Sequence, residues 1–391
     1  MTSKWNEVPL RELVGYISKG IAPSYATEET ETTVRVLNQK CNRNFQINYG
    51  DSRLHDTRKK KIPVERYVKP NDILINSTGA GTAGRIAQIE RVPCATTIDG
   101  HMILIRSNGK VTQKFLGYAL KAHQWEVLQL DEGSTGQTEL NRDRLLDEIM
   151  INYPLSFDEQ DVIVDTLESI DRKMIANEQI NDNLQQQAKA LYEEMFLNTP
   201  DKNMTSGTLS DIATITMGQS PNGNSYNESS IGEVFYQGRA EFGFRFPTRR
   251  LFTTEPKRMA EAGDILLSVR APVGDLNVAY EKCCIGRGLG AIHSKDGKNS
   301  FLLYTMYALR PQLDVFNGEG TVFGSINRDA LSSMPLAIPS AEKIAQFEAV
   351  VHPMDELIRT NYEEICRLES LRDSLLPKLM SGEIDVSAVQ L

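Results

Sequence analysis

An internal duplication constrains the fold of this 391-residue chain more than any other feature of its sequence. Three segments of the first half return in the same order in the second half. The pairs are VPLRELVGYI at 8–17 with GTLSDIATIT at 207–216, DILINSTG at 72–79 with DILLSVRA at 264–271, and ELNRDRL at 139–145 with SINRDAL at 325–331. Matches in one order predict two copies of a similar globular domain, which we call head one and head two.

A long stretch with almost no glycine or proline follows each head, over residues 158–196 and 342–380. Apolar residues recur in both stretches at alternating steps of four and three, the spacing of a coiled-coil seam. Each helix would be about 58 Å long at 1.5 Å per residue, which is longer than one head can cover. We therefore favour an antiparallel two-helix coiled coil over two amphipathic helices that each lie on their own head. The predicted seam residues are Leu167, Ile170, Met174, Asn177, Leu184, Leu191, Val351, Met354, Ile358, Asn361, Leu368 and Leu375.

Short strand patterns alternate with Gly- and Pro-rich turns and a few helical stretches in both heads, so the predicted fold class is mixed α/β (α+β). An antiparallel helix pair returns the chain towards its beginning, which predicts two heads related by approximate twofold symmetry. We predict head one at 1–155, a first spacer-helix region at 156–200, head two at 201–339 and a C-terminal helical region at 340–391.

Composition excludes several classes of protein. Hydrophobic residues make up 40% of the chain and charged residues 24%, as in a folded globular protein. No apolar run approaches the roughly 20 residues of a membrane-spanning helix. The first residues lack the apolar core of a signal peptide, and the five cysteines include no C-x-x-C pair. We therefore expect reduced thiols, a cytoplasmic location and no membrane partner.

The sequence contains one enzyme-like motif, GAGTAG at 79–84, which follows a predicted strand. A dinucleotide site requires a helix to begin at such a loop, whereas RIAQIERVP reaches a proline within ten residues. There is no phosphate-loop motif, no HExxH and no Cys/His pair at metal-ligand spacing. We predict no catalytic residue, no metal and no cofactor on this chain. A cryptic nucleotide-binding enzyme that uses this loop is an open alternative.

The net charge of −9 is concentrated in the two helical regions, which carry −7 and −5, whereas head one carries +3 and head two is neutral. Each head has a basic cluster in a corresponding part of its sequence. Such loops can neutralise phosphates or read guanine edges, although a charge run is also typical of a solvated loop. Polar loops flanked by glycine are further candidates. The predicted DNA-binding residues are Arg43, Arg53, Arg58, Lys59, Lys60, Lys61, Ser77, Thr78 and Gln137 in head one, and Gln219, Ser220, Arg239, Arg245, Arg249, Arg250 and Arg270 in head two.

Two similar but non-identical heads at a fixed separation suit a target of two different short half-sites. Elements that face the same side of duplex DNA lie about 34 Å apart, one helical turn, and the long helices could enforce that spacing. The expected partner is therefore double-stranded DNA. A coiled-coil adaptor with two protein-binding heads and no DNA role is the alternative from another class.

Four segments carry a resemblance to a known family. They are KPNDILINSTG at 69–79, MGQSPNGNSYN at 217–227, AGDILLSVRAPVG at 262–274 and SLLPKLMSGEIDV at 374–386. Together with the duplicated plan of head and helix, they make essentially the whole chain similar to specificity subunits of type I restriction–modification systems.

The resemblance implies that each head is a target recognition domain for one half of a bipartite DNA site. It implies that the paired helices set the gap between the half-sites and help to dock two modification subunits. Those partners carry the S-adenosylmethionine and the methyltransferase chemistry, and a motor–nuclease subunit can join them. The chain itself would then be non-catalytic.

Overall fold

A computed structural model describes residues 4–132, 139–199, 203–318 and 324–386. The chain divides into two compact units. The first comprises Met1–Ile175 and Glu364–Leu391, and the second comprises Ala176–Glu363. Each unit therefore contains one head together with part of both long helices.

The first unit alternates short strands with short helices until the first long helix begins. Its strands are β1 Trp5–Pro9, β2 Val14–Lys19, β3 Tyr25–Ala26, β4 Thr33–Leu37, β5 Asn42–Arg43, β6 Gln46–Ile47, β7 Arg53–Asp56, β8 Ile73–Asn76, β9 Ile86–Gln88, β10 Thr96–Ile98, β11 Met102–Ser107, β12 Asp131–Glu132, β13 Glu139–Leu140 and β14 Met150–Pro154. Its helices are α1 Gln113–Ala122, α2 Gln124–Leu128, α3 Arg142–Glu148 and the start of α4, Phe157–Tyr192.

The second unit repeats this order of elements. Its strands are β15 Thr205–Thr208, β16 Ala213–Met217, β17 Tyr226–Asn227, β18 Glu233–Tyr236, β19 Phe252–Thr253, β20 Met259–Ala260, β21 Ile265–Ser268, β22 Leu276–Val278, β23 Cys283–Ile285, β24 Leu289–Ser294 and β25 Pro335–Ile338. Its helices are α5 Leu209–Ile212, α6 Asn299–Ala308, α7 Arg310–Asp314, α8 Arg328–Ser332 and the start of α9, Ala341–Met380.

The strand orders of the two units match. The sheet β2-β11-β8-β9 of the first unit corresponds to β16-β24-β21-β22 of the second. A further sheet, β10-β4-β7-β3, corresponds to β23-β18-β19-β17, which has β20 as an additional strand beside β23. In each, the first two of these four strands run parallel. The antiparallel pair β1–β14 likewise corresponds to β15–β25. The predicted duplication and the mixed α/β fold class are confirmed.

The apolar runs ILIN and ILLS form strands that are buried on both faces. Successive side chains of a strand point to opposite faces, so one run can serve two cores. In β8, Ile73 and Ile75 belong to the core that contains Phe115 of α1, whereas Leu74 belongs to a separate cluster with Leu37 of β4. The sheet β2-β11-β8-β9 and its counterpart β16-β24-β21-β22 are therefore each covered by a helix on one face and by the further sheet of the same unit on the other.

Within each unit the long helices α4 and α9 run antiparallel. In the first unit Asp171 of α4 pairs with Arg372 of α9 at 3.5 Å. In the second unit the Asn361 side-chain amide donates to the Asn181 carbonyl oxygen at 2.8 Å, and Tyr192 packs edge-on against Phe347. Residue numbers along one helix rise while those of the other fall, as an antiparallel pair requires.

Both interpretations of the helices hold in part. Leu167 and Val351 lie in the core clusters of the heads, so the helix ends pack on the heads, whereas Asn181 and Asn361 join helix to helix. The predicted seam residues that are buried are Leu167, Ile170, Met174, Asn177, Val351, Ile358 and Asn361. Those that are half-buried are Leu184, Leu191, Met354, Leu368 and Leu375. Among the described residues, no helix has the length and apolar character that crossing a bilayer requires.

Candidate nucleic-acid interface

The polar loops of head one gather at one edge of its main sheet. Strands β2 and β8 both run antiparallel to β11 between them, so both end where β11 begins. The backbone closes this edge, because Gly20 N–H donates to Met102 C=O at 3.1 Å and Ser77 N–H donates to His101 C=O at 2.8 Å. We call this set of loops the loop edge of head one.

Head two has the same edge. Gly218 N–H donates to Leu289 C=O at 2.9 Å, which corresponds to the Gly20–Met102 bond of head one. A Cβ on Gly218 would lie 2.2 Å from the carbonyl oxygen of Gly286, and one on Gly20 would lie 2.1 Å from that of Asp99. Close backbone approach therefore explains why both copies carry glycine after this strand.

At the loop edge of head one, the predicted DNA-binding residue Thr78 is half-buried and so remains partly accessible. Its hydroxyl lies 2.7 Å from Nδ1 of His101, and its backbone pairs with Glu139. Beneath it, Asp99 is buried and accepts a hydrogen bond from the His101 backbone, and burial raises the pKa of Asp99. Ser77 was predicted to contact DNA, but its side chain is 0% exposed, so the structure argues against that role. Gln137 lies outside the described residues.

At the loop edge of head two, Arg270 and Arg287 line a cavity of about 550 Å³ together with Ser325 and Asn327. Both arginines are exposed, and neither forms an ion pair within the described ranges. The Ser220 hydroxyl accepts a hydrogen bond from the Arg287 backbone at 3.2 Å and thereby holds that turn. The remaining predicted residue here, Gln219, has an exposed side chain, while its N–H donates to the Ile285 carbonyl at 3.0 Å.

Arg287 was missed by the sequence analysis. It lies between β23 and β24, in the place that residues 99–101 occupy between β10 and β11. Aligning IDGHM at 98–102 with IGRGL at 285–289 would have placed this arginine at the loop edge. The internal repeat thus contained the information that places Arg287, but the two segments match only weakly in sequence.

The basic cluster of head one occupies the turn after β7, next to the loop edge. Nζ of Lys60 donates to the Ala22 carbonyl at 3.0 Å, which joins the turn to the loop that follows β2. Arg58 forms two hydrogen bonds to Asp56, at 3.0 and 3.1 Å, and these lower the pKa of Asp56. Lys59 and Lys61 are exposed and form no ion pair in the part of the chain that the structure describes.

Two further cations of head one are accessible. Arg43 is exposed on β5, and Arg53 is exposed with its guanidinium 5.0 Å from the ring centroid of Tyr25. Stacking on an aromatic ring leaves the hydrogen-bond donors of a guanidinium available at its edge. Both residues remain candidates for phosphate contacts.

The other predicted arginines of head two, unlike Arg270, have acidic partners. Arg239 pairs with Asp275, which also accepts from Arg310 at 2.9 Å. Arg249 pairs with Glu281. Arg250 pairs with Glu241 at 2.6 Å and with Glu228 at 3.2 Å, and the Glu241 hydrogen bond raises the pKa of Arg250. These cations reach phosphates only by sharing or exchanging a carboxylate.

The predicted DNA-binding role of Arg245 is corrected by the structure. It is 4% exposed, and its Nη1 donates to Asp355 of α9 at 2.7 Å. Its Nη2 donates to the Tyr304 hydroxyl at 3.1 Å and to Oε1 of Gln185 at 3.2 Å. A side chain held in this way inside the protein cannot also reach a groove of DNA.

The G-x-G-x-x-G loop at 79–84 leads into a strand. Gly79, Gly81 and Gly84 have φ of 113°, 68° and 85°, a left-handed conformation that favours glycine. Strand β9 begins at Ile86, antiparallel to β8, so the loop leads into a strand and opens no helix of its own. The feature that a dinucleotide pyrophosphate needs is therefore missing here. Within the described residues there is also no group of three or more His, Cys, Asp or Glu side chains that could hold a metal ion.

Comparison with known proteins places similar sequences over most of the chain. The model of the type I restriction modification DNA specificity domain matches residues 2–186 and 201–367. A putative type I restriction enzyme MjaX specificity subunit of Methanocaldococcus jannaschii is 38% identical over 174 residues, which are 44% of this chain and 41% of that protein. The MjaIX specificity subunit of the same organism is 28% identical over 86 residues, 22% of this chain and 20% of that protein. The chain thus spans about two-fifths or less of the curated relatives it matches.

The fold is similar to that of a solved structure. The S subunit of a type I restriction–modification system from M. genitalium has a TM-score of 0.58 and is 16% identical. The match covers 97% of this chain and 96% of that chain. The likeness therefore extends over both heads and both long helices.

Proposed function

This chain belongs to the family of type I restriction modification DNA specificity domains, and from that premise we propose that it is the DNA-specificity subunit of a type I restriction–modification complex. Each head reads one half of a bipartite, asymmetric duplex target. The observation that carries the proposal is the loop edge, which recurs at the same end of the same sheet in both heads. In head two it exposes Arg270 and Arg287, and in head one the turn with the exposed Lys59 and Lys61 lies next to it.

The loop edges and the turn after β7 supply two kinds of contact. Lys59 and Lys61 are point charges without a carboxylate partner among the described residues, which suits sequence-independent contacts to phosphates. Arg270 and Arg287 line a cavity, and a guanidinium can donate two hydrogen bonds to the O6 and N7 acceptors of guanine. Head one in this proposal uses Thr78 and its neighbour His101 in the equivalent place.

The chemistry belongs to partners. Two modification subunits carry S-adenosylmethionine and methylate the target, and a motor–nuclease subunit can join them. Docking on the long helices is supported by Val350 and Leu357 of α9, two apolar residues that lie seven positions apart and are 48% and 44% exposed. Exposed apolar side chains on one helix face are typical of an interaction surface. The complex acts on DNA in the cytoplasm, and this chain performs no catalysis of its own.

The test is to assemble the full chain with its modification subunits and to map methylated positions in a host that carries the whole system. We expect one motif with two specified halves separated by a gap of fixed length. Binding of the assembled complex to a duplex with this motif should weaken steeply as salt rises, because phosphate contacts release counterions. Methylation without a bipartite motif, or binding that does not respond to salt, would contradict the proposal and favour the adaptor alternative.

A further inference from the structure

The loop between β18 and β19, residues 237–251, has two parts with different surroundings. Its flanks expose Arg239, Arg249 and Arg250. Its tip turns inward and buries Arg245 and Phe246. We call this segment the β18–β19 loop.

The tip of the β18–β19 loop is attached to the long helices through Arg245. Nη1 bonds to Asp355 of α9, and Nη2 bonds to Gln185 of α4, so one guanidinium contacts both helices. The Tyr304 hydroxyl accepts from Arg245 and donates to Asp355 at 3.0 Å, which closes the network. Every member of this network lies within the second unit.

Packing and backbone bonds hold the same tip. The Phe246 ring lies 4.9 Å from the ring of Tyr362 on α9 and 5.6 Å from that of Tyr280. The Val278 N–H donates to the Arg245 carbonyl at 2.8 Å, and the Asn277 side chain bonds to both the N–H and the C=O of Gly243. The loop is therefore fixed to strand β22 and to the helix pair at once.

Head one lacks this attachment. The corresponding loop, residues 38–52 between β4 and β7, forms no ion pair with α4 or α9 within the described residues. Its tip residue Phe45 instead lies under Lys121, with Nζ 4.9 Å from the ring centroid. A cavity of about 420 Å³ lined by Phe45, Lys121, Asp171 and Met174 remains beside this tip. The two heads differ here although a tyrosine–aspartate bond, Tyr118–Asp171 at 2.9 Å, matches Tyr304–Asp355.

We propose that the buried Arg245–Asp355 pair positions the β18–β19 loop on the long helices and so sets where the half-site of head two begins relative to the gap. The inference rests on the proposed function and adds a positioning role that the family assignment does not contain. Arg245 touches no DNA in this proposal; it acts through Arg239, Arg249 and Arg250 on the same loop.

The energetics of buried ion pairs support a positioning role over a purely stabilising one. Two buried charges lose their hydration, and apolar side chains of similar size often stabilise a fold as well or better. The Nε of Arg245 is buried and has no hydrogen-bond partner among the described residues, so the network is not optimised for stability alone. A planar guanidinium bonded to two helices does, however, fix one orientation of the loop.

The experiment uses the full chain assembled with its modification subunits. The double variant Arg245→Met/Asp355→Leu replaces both charges with apolar groups and avoids leaving one buried charge alone. The matched control is Lys282→Gln/Glu261→Gln, which removes an exposed ion pair at 3.3 Å in the same unit. Tyr304→Phe is a milder variant that deletes one bond to each partner and keeps the ring, for use if the double variant does not accumulate.

The readout is the methylation rate on duplexes that carry the wild-type motif with the gap shortened by one base pair, unchanged, or lengthened by one. We expect the double variant to lose about tenfold in discrimination between gaps, with the half-site sequences and the thermal midpoint retained, and Tyr304→Phe to lose less. The control should discriminate as the wild type does.

Wild-type gap discrimination in the folded double variant, or in Tyr304→Phe if that is the variant used, would overturn the inference and leave the proposed function intact. A wild-type complex that reads no bipartite motif would overturn the proposed function itself. The two failures are therefore distinguishable.

Discussion

At the scale of single residues, the partner of a cation decides what it can contact. Arg58 is held by Asp56 and Arg250 by Glu241, whereas Lys59 and Lys61 form no ion pair within the described ranges. Transferring an unpaired cation to a phosphate costs no existing ion pair, so the two lysines are the stronger candidates. The basic run at 58–61 thus contains both a paired cation and cations without an ion pair in the described ranges.

We predict that Lys59→Ala/Lys61→Ala weakens DNA binding on every sequence equally. The slope of log affinity against log salt should become less steep by about 1.8, because two phosphate contacts are lost. Arg58→Ala is the comparison, and it should change the slope less, since Asp56 already neutralises that charge. Fluorescence anisotropy of the assembled complex at several salt concentrations measures both. An unchanged slope in the double variant would remove this turn from the interface.

At the scale of elements, polar residues interrupt the apolar seam of the helix pair. Asn361 and Asn181 are buried and bond to each other across the two helices. A polar pair in such a seam costs stability but favours one register, because any slip leaves a buried amide without its partner. The asparagines thus specify how α4 and α9 align in the second unit.

The matching prediction concerns stability. Asn361→Leu alone should destabilise the protein by about 1–3 kcal/mol, because the buried Asn181 carbonyl loses its donor. Asn181→Leu/Asn361→Leu should recover that loss, since both polar groups are then replaced by apolar ones. Thermal unfolding followed by circular dichroism tests the pair. Equal destabilisation by the single and the double variant would show that the hydrogen bond is not what matters here.

At the scale of the whole molecule, duplication gives the chain two heads with one strand frame, and divergence gives them different side chains. Asp72 of head one binds Arg106 through two bonds of 2.7 Å, whereas its counterpart Asp264 binds His293 at 2.6 Å. The strand frame is retained while side chains on it change. Under the proposed function, this divergence lets the two heads recognise unlike half-sites from one architecture.

We predict that the two half-sites respond independently. Arg270→Ala/Arg287→Ala should relax the motif at one half only, at a cost of about 1–3 kcal/mol for each lost guanine contact. The Lys59→Ala/Lys61→Ala variant is the control, because phosphate contacts should weaken binding without altering either half. Methylation-site sequencing with each variant reports the motif directly. Relaxation of both halves by the head-two variant would contradict independent reading.

A prediction about the gap follows from helix geometry. Deleting residues 176–182 and 357–363, seven from each helix, removes about 10 Å of helix, which is close to three base pairs. Both half-sites should be kept while the accepted gap shortens by about that amount. Inserting seven residues at the same points should lengthen it equally. An unaltered gap in the deletion variant would refute the ruler role of the helices.

Patterns in the sequence were sufficient to predict the duplication, the mixed α/β heads and both long helices. These features are written in local patterns: repeated strings, strand-length apolar runs, and steps of three and four residues that continue for more than thirty positions. Such patterns depend on backbone geometry alone, which is why helix α9, at Ala341–Met380, lies so near the predicted 342–380. For the loop edges, in contrast, the sequence indicated candidate residues but not how they are arranged in space.

The tertiary structure alone decided which candidate side chains are accessible. Arg245 and Arg249 stand in the same phenylalanine-rich basic run, yet Arg245 is buried because Asp355, 110 residues away, meets it on α9. Ser77 is buried, with its N–H bonded to the His101 carbonyl and its hydroxyl directed to the Gly100 carbonyl at 3.5 Å. Arg287 lies at the loop edge of head two because it follows β23, which pairs with β18. A buried charge depends on a partner that is distant in the chain, and a local sequence pattern does not identify that partner.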